Sequence, residues 1–542
     1  MLARPAPPPH APGARPHGPG RTRPLPRERR GMTAIAAILA DFKTPPYIHQ
    51  LREFEVSAEL PARALLWQMR TGKTKLTIDT ACHLARSRLI DAVIVLAPNG
   101  VHENWIRREL PIHHWDTVER DTLAWRTSIA GSKGEGRVPA HDRRGWREQH
   151  EAFWARAERL LKGQRLAWFS FASETMIRKD VRNLIARVMR RKKRVMLVVD
   201  ESDDFGKPGS KKTQMARALA RRCAYRRILS GTVVENSPLR AYGQYELLEE
   251  GALGFETYAD FKDRYAEYER KTNRAGQSYP TLREYKNLDE LRERMARLSS
   301  VVLREDCEDL PDLVRIARPV ELTDEQRQLY RELQRSFLVE LDGQEVSVGE
   351  NTAKLVKLQQ VVSGFLIDEY GDLRDVPGGN PRLEALVDEA EMTGGRNVVW
   401  CAFRQDMDRV AEALRARGRK VLEYHGRSTD EEKARVRREF APGSGSDVDD
   451  LVGHPKSGGR GLDLSGADKI IWYSHTFDAV VRSQADERAT AVGGGNVPVV
   501  DLVAPGVDEY ILETVSTRPT SPTTWRGRAC RRSSGGSEYE QG

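Results

Sequence analysis

Short apolar runs rich in β-branched and aromatic residues alternate with longer helical patterns along most of this chain, and that alternation limits the fold more than any other feature. A strand covered on both faces by crossover helices reads as a continuous apolar run, not as an in-and-out alternation. One set of such runs stands at Ala64–Trp67, Ala92–Leu96, Leu166–Phe169, Val195–Val199 and Arg227–Leu229. A second stands at Val398–Trp400, Val421–Tyr424, Ile470–Tyr473 and Pro498–Val503. The expected class is α/β, with two parallel-sheet domains. Between them the pattern turns charged and helical and is broken at Leu310-Pro311, which predicts a helical insertion and a linker.

A chain of 542 residues accommodates several units of roughly 100–200 residues. No apolar run approaches the roughly 18 residues of a membrane-spanning helix. Five cysteines (Cys82, Cys223, Cys307, Cys401, Cys530) form no C-x-x-C pair that would signal a zinc cluster or a disulfide framework, and a reducing, cytoplasmic compartment is expected. The net charge of +9 suggests an anionic partner until its distribution is considered. Seven arginines against one glutamate in residues 1–31, and five arginines against two glutamates in residues 516–542, hold the whole excess. The middle is electrically balanced. Residues 1–31 also carry nine of the 28 prolines and almost no large apolar side chains, so this segment and the Ser/Thr/Arg/Gly-rich tail 516–542 are expected to be disordered. Ordinary composition begins at Met32, which reads as the natural start; the residues before it lack the serines and amphipathic period of a transit peptide.

Gln68-Met69-Arg70-Thr71-Gly72-Lys73-Thr74 follows an apolar run and precedes a helical stretch. In that setting backbone N–H groups at a helix N-terminus cradle phosphates, Lys73 reaches the β and γ phosphates, and the Thr74 hydroxyl is available to Mg²⁺. The full G-x-x-x-x-G-K-[ST] pattern is not met, because Trp67 stands at its first glycine, and Gly-Lys-Thr alone also fits an exposed turn.

A second element strengthens the reading. Val195–Val199 ends in Asp200-Glu201, two carboxylates at the carboxyl end of a buried strand, where ligands of parallel sheets bind. Asp200 suits Mg²⁺ through its water shell; Glu201 suits orienting and deprotonating a water that attacks the γ-phosphate.

With these motifs in this order the chain resembles the superfamily 2 helicase-like ATPases, in particular the Swi/Snf-type DNA translocases and their compact phage and bacterial relatives. Tyr47-Ile48-His49-Gln50 is similar to the segment preceding the phosphate loop, so the resemblance gives Gln50 adenine recognition. Ala97-Pro98-Asn99-Gly100-Val101 with Asn104-Trp105 resembles the next motif, which touches the nucleic-acid backbone, although Trp105 fits a core position equally well. Ser230-Gly231-Thr232 resembles the motif coupling the ATP site to the bound strand, with Val233 in place of the usual proline. Phe403-Arg404, Tyr424-His425-Gly426, Gly458-Gly459-Arg460-Gly461-Leu462-Asp463-Leu464 and Gln484–Ala491 fall where the family has its later motifs.

The resemblance implies two RecA-like lobes, residues 32–250 and 321–515, separated by a helical insertion and linker over 251–320, with ATP and Mg²⁺ between the lobes. Lys73, Asp200, Glu201 and Arg488 are the expected catalytic residues, Arg488 crossing from the second lobe. Gln50, Arg70, Thr71, Gly72, Lys73, Thr74, Gly461 and Asp463 are expected to hold the nucleotide, and Thr74 and Asp200 the metal. Pro98, Asn99, Gly231, Thr232, Arg404, Gly426 and Gly459 are expected to meet nucleic acid. The implied partner is double-stranded DNA, with single-stranded DNA also open. One departure stands out: relatives carry a second arginine where this chain has Ala491. Three readings follow: Arg488 suffices, Arg460 or Arg482 substitutes, or ATP is bound and hydrolysed slowly. The functions weighed are a translocase on duplex DNA, a nucleotide-gated DNA clamp, and an RNA helicase of the same superfamily.

Overall fold

The computed structural model describes residues 40–99, 101–131, 142–231, 237–272, 276–307, 313–341, 348–368, 370–458, 462–489 and 497–517. The terminal segments expected to be disordered, the proposed start at Met32, and Gly100, Thr232, Val233, Gly459, Arg460, Gly461 and Ala491 lie outside these residues.

Among the described residues the first lobe is built on seven strands: β1 (Ala62–Trp67), β2 (Ala92–Ala97), β3 (Arg120–Ala124), β4 (Leu166–Ala172), β5 (Val195–Val199), β6 (Tyr225–Ser230) and, after the hairpin β7 (Ala266–Thr272) and β8 (Ser278–Tyr285), β9 (Ser299–Val302). Their order is β3-β4-β2-β5-β6-β1-β9, and every pairing in the sheet is parallel. Both faces are covered. Ala92, Ile94 and Leu96 of β2 pack into one apolar cluster with Val195, Leu197 and Val199, while Val93 and Val95 pack into the other with Met196 and Val198. Full burial of each such side chain contributes roughly 1.5–3 kcal/mol, which explains why these strands read as unbroken apolar runs.

The second lobe begins with β10 (Leu313–Pro319). After a small antiparallel pair, β11 (Phe365–Ile367) and β12 (Leu373–Asp375), it continues with β13 (Asn397–Trp400), β14 (Val421–Tyr424), β15 (Asp450–Gly453), β16 (Lys469–Trp472) and β17 (Val497–Val503). The order of its parallel sheet is β10-β17-β16-β13-β15-β14.

The stretch expected to be a helical insertion is helical only in part. Helices Tyr258–Tyr265 and Leu288–Ala296 flank the antiparallel hairpin β7–β8, which carries a bulge between Glu267 and Tyr268. This corrects the helical expectation. Most of the ribbon's residues are partly or fully exposed, so its charged sequence has no apolar period to betray a strand. The same stretch also supplies β9, which completes the first sheet beside β1, and β10, which opens the second.

Candidate active site

In the order β2-β5-β6-β1 the carboxyl ends of four parallel strands stand side by side. Pro98 and Asn99 follow β2, Asp200 and Glu201 follow β5, Gly231 follows β6, and the loop 68–72 follows β1. Register fixes the alignment: Leu96 pairs with Val199, Val199 with Ile228, and Leu66 with Ser230. Residues distant in sequence are thereby set along one edge, the place where open parallel sheets bind ligands.

The loop enters the helix Lys73–Arg86 through Gly72, whose φ of +85° suits glycine because L side chains rarely adopt that conformation. Gln50 lies against it. Its amide donates to the Thr71 carbonyl at 3.1 Å, its Oε1 accepts from the Tyr47 N–H at 3.0 Å, and a Cβ at position 72 would stand 1.8 Å from its Nε2. His49 also meets the Thr71 carbonyl at 2.7 Å. The helix that carries Gln50, Ile48–Ser57, is fixed at its far end by buried Arg227 of β6, which donates to the carbonyls of Ser57 at 2.8 Å and Ala58 at 3.2 Å. A guanidinium satisfies the terminal carbonyls and complements the negative end of the helix dipole. Burial, the largest cause, brings Arg227 down to about 10, with the Glu53 charge opposing it.

Lys73 turns its ammonium into the loop, donating to the carbonyls of Trp67 at 2.7 Å and Gln68 at 3.0 Å. Burial lowers its pKa, and the charges of Glu201, Asp200 and Glu487 oppose that fall. Gly231 approaches from β6: a Cβ there would lie 3.0 Å from the Met69 side chain and 3.9 Å from the Lys73 ammonium. Gly231 thus faces the phosphate loop, with Met69 where a side chain would go.

Asp200 is buried, and burial followed by the neighbouring Glu201 charge pushes its pKa up to about 6. Its Oδ2 accepts from the Trp105 indole at 2.9 Å and its Oδ1 from the Glu201 N–H at 3.0 Å. Glu201 sits at φ +50°, a left-handed conformation uncommon for this residue type. Trp105 is 1% exposed and lies in the core, one of its two sequence readings, and its indole also holds a carboxylate of the site, a role the sequence did not suggest. It opens a π-helical turn, Trp105–Glu109, a form frequent at functional sites. Among the described residues no three His, Cys, Asp or Glu side chains are grouped as metal ligands. The oxygen donors of Asp200 and Thr74 nevertheless suit Mg²⁺, which binds through few protein groups and completes its octahedron with phosphate and water.

From the second lobe, Arg488 donates to the Leu462 carbonyl at 3.1 Å and is 9% exposed. Burial lowers its pKa to about 10, and the nearby Glu201 charge opposes this. Asp463 does not stand open. It accepts from Arg70 at 3.1 Å, from Arg108, and from the Ser465 hydroxyl at 2.7 Å, and these partners hold its carboxyl below the usual range against burial. Arg70 also donates to the Arg488 carbonyl. Glu487, unremarked in the sequence, is buried beside the cleft, accepts from Ser483 at 2.7 Å and feels Arg304 and Lys73.

Arg482, offered as a substitute for the arginine lacking at position 491, does not serve. It is buried in a pair with Asp501 and donates to His475 at 3.1 Å, so its charge is already committed. Arg404 opens the helix Arg404–Ala416 and Gly426 follows β14, both at strand ends of the second sheet; Arg404 lies 3.9 Å from Asp408 on the surface. His425 is a turn residue, its Nδ1 3.2 Å from the Ser428 hydroxyl.

The SNF2-related domain family model matches residues 60–364, more than half of the chain, and the helicase conserved C-terminal domain model matches residues 381–493. An uncharacterized ATP-dependent helicase of Mycoplasma genitalium is 22% identical over 302 residues, covering 55% of this chain and 27% of that protein. The ATP-dependent helicase brm of Drosophila melanogaster is 26% identical over 228 residues, 38% of this chain and 14% of that one. The chain therefore matches only about a quarter or less of the length of these relatives. The solved SWI2/SNF2 ATPase core of Sulfolobus solfataricus in complex with dsDNA aligns with a TM-score of 0.37 at 17% identity, covering 89% of this chain and 92% of that chain. On the extent of the first domain match, the chain belongs to the SNF2-related family, with a helicase C-terminal domain following.

Proposed function

We propose that the protein is an ATP-driven motor that tracks on duplex DNA. The observation that carries this reading is the meeting of the two lobes: Arg488 of the second lies close enough to Glu201 of the first to feel its charge, while Lys73 feels both Glu201 and Asp200. Mg²⁺, when bound, would neutralise phosphate charge and orient the chain of phosphates.

In the proposed reaction Glu201 orients a water and accepts its proton as the water oxygen bonds to the γ-phosphorus. The bond from that phosphorus to the bridging oxygen breaks, and ADP leaves with the electron pair. Lys73 and Arg488 neutralise charge on the transferring group, the preorganised electrostatic stabilisation that dominates phosphoryl transfer. Pro98, Asn99, Gly231, Arg404 and Gly426 are proposed to meet the nucleic-acid backbone, and contacts of that kind position the strand without reading its sequence. Alternating closure and opening of the lobes then becomes movement along the strand.

ATP turnover measured with duplex DNA, single-stranded DNA and RNA at stated salt tests the proposal. Stimulation by duplex DNA, lost in Lys73→Ala and Glu201→Gln, is the expected result. Stimulation by RNA alone would transfer the protein to the RNA-helicase reading. One observation favours a nucleotide-gated clamp as second reading: Arg70 and Arg108 already join the lobes through Asp463. Glu201→Gln that still closes on DNA when given ATP, with wild-type turnover negligible, would select the clamp.

A further inference from the structure

Resting on that reading, we infer that Arg70 is a second guanidinium for the transferring phosphate, supplied by the phosphate loop itself and held in reserve by Asp463. The backbone supplies the first reason. Arg70 has φ +62°, a conformation that side chains of its size rarely hold. Its side chain leaves the loop and meets the other lobe, donating to Asp463 Oδ1 at 3.1 Å and to the main-chain carbonyl of Arg488.

Charge supplies the second. Asp463 is shared between two guanidiniums, Arg70 and Arg108, and also accepts the Ser465 hydroxyl. When Arg70 leaves, Arg108 and Ser465 still satisfy Asp463. Moving Arg70 from a carboxylate to a phosphate therefore exchanges one anion for another and strands no buried charge. A phosphate offers the more highly charged acceptor and can take both arms of the guanidinium fork, where Asp463 accepts one bond from Arg70.

The third reason is that a vacancy exists in the chemistry. Position 491 is alanine and, among the described residues, Arg482 is spent on Asp501 and His475, so that of the arginines weighed above Arg488 is the one these residues place at the cleft. Because Arg70 is bonded to the backbone of Arg488, its release would be felt directly by the segment that carries the first guanidinium. Removing such an arginine from phosphoryl-transfer enzymes costs roughly 10³ to 10⁵ in turnover.

The test compares DNA-stimulated turnover in the wild type and in the variants Arg70→Ala, Arg70→Lys, Arg108→Ala and Arg70→Ala with Ala491→Arg, alongside affinity for a fluorescent ADP, which lacks the γ-phosphate. Arg70→Ala is expected to lower kcat about 10³-fold and to leave ADP affinity within about threefold, with Arg70→Lys recovering only part because it lacks the fork. The double variant should regain at least about tenfold over Arg70→Ala. Arg108→Ala removes the other arm of the same interlobe contact and should change kcat by less than about tenfold. Equal losses in Arg70→Ala and Arg108→Ala would reduce Arg70 to a fastening between lobes and overturn the inference, as would a double variant with no recovery. A wild type no faster than Lys73→Ala would sink the motor reading itself, an outcome distinct from either.

Discussion

The indole Nε1 of Trp105 donates to Oδ2 of Asp200 at 2.9 Å, joining the helical segment that follows Pro98 and Asn99 to the carboxylate at the end of β5. Two segments 95 residues apart, one expected to meet nucleic acid and one expected to hold metal, thus share a hydrogen bond. Trp105→Phe keeps the ring and deletes the donor. Loss of a partner that orients a metal-binding carboxylate typically costs 10- to 100-fold, so the Mg²⁺ concentration for half-maximal turnover should rise by about tenfold or more. A titration of Mg²⁺ against ATP turnover reads this directly, and an unchanged midpoint would remove Trp105 from the site.

Gly72→Ala tests the phosphate loop. The substitution forces φ +85° on a residue with a Cβ, worth about 1–2 kcal/mol, and drives that Cβ onto Gln50. Affinity for a fluorescent ATP analogue should fall at least about tenfold. Adding Gln50→Ala relieves the collision but leaves the backbone cost and removes the side chain expected to recognise adenine, so binding should not return to the wild-type level.

His475 makes a prediction about acid. Arg482 donates to its Nδ1, which must therefore carry the lone pair, and its Nε2–H donates to the Leu502 carbonyl at 2.9 Å. Burial first, then the Arg482 charge, lower its pKa from 6.5 to about 3. Below pH 6.5 the unfolded chain takes up a proton that the folded one refuses. Stability is lost as pH falls from 6.5 towards 3, by up to about 1.4 kcal/mol per pH unit. Thermal melts across that range should show a shallower loss in His475→Gln than in the wild type.

Arg382 and Asp508 form an ion pair with no exposed side-chain surface, and among the described residues Arg382 Nε and Nη1 and Asp508 Oδ1 have no hydrogen-bond partner. Asp508→Ala leaves a buried guanidinium without its counter-charge and should destabilise the second lobe by about 3–5 kcal/mol. Replacing both, as Arg382→Met with Asp508→Leu, should cost less than the single change. Chemical denaturation of the three variants tests that order.

How much of this was legible depends on what covers each element. The strands buried on both faces announced themselves, Val195–Val199 most clearly, because every side chain meets apolar neighbours. β3, with its sequence Arg-Asp-Thr-Leu-Ala, and β10 are sheet edges and partly exposed, so charged residues interrupt them and hide the pattern. The β7–β8 ribbon hides for the same reason. Within the candidate site, the placement of Lys73, Asp200 and Glu201 just beyond strand ends was readable, because each follows an apolar run. The link between Arg70 and Asp463 was not, since the two stand 393 residues apart and only packing of the lobes joins them. Trp105 gave half its role: a large aromatic after a strand predicts burial, while its donor atom needs the partner strand in place to have meaning.

β9 lies directly beside β1, and the loop that follows β1 is fastened to the chain that follows β9. The Gln68 N–H donates to the Val302 carbonyl at 2.9 Å, and the Gln68 side chain accepts from the Arg304 N–H at 2.6 Å. The polypeptide therefore sets out for the second domain from an anchorage on the very turn that would embrace a triphosphate. A rearrangement of that turn would therefore have to break or carry along these two hydrogen bonds at the root of the crossing segment.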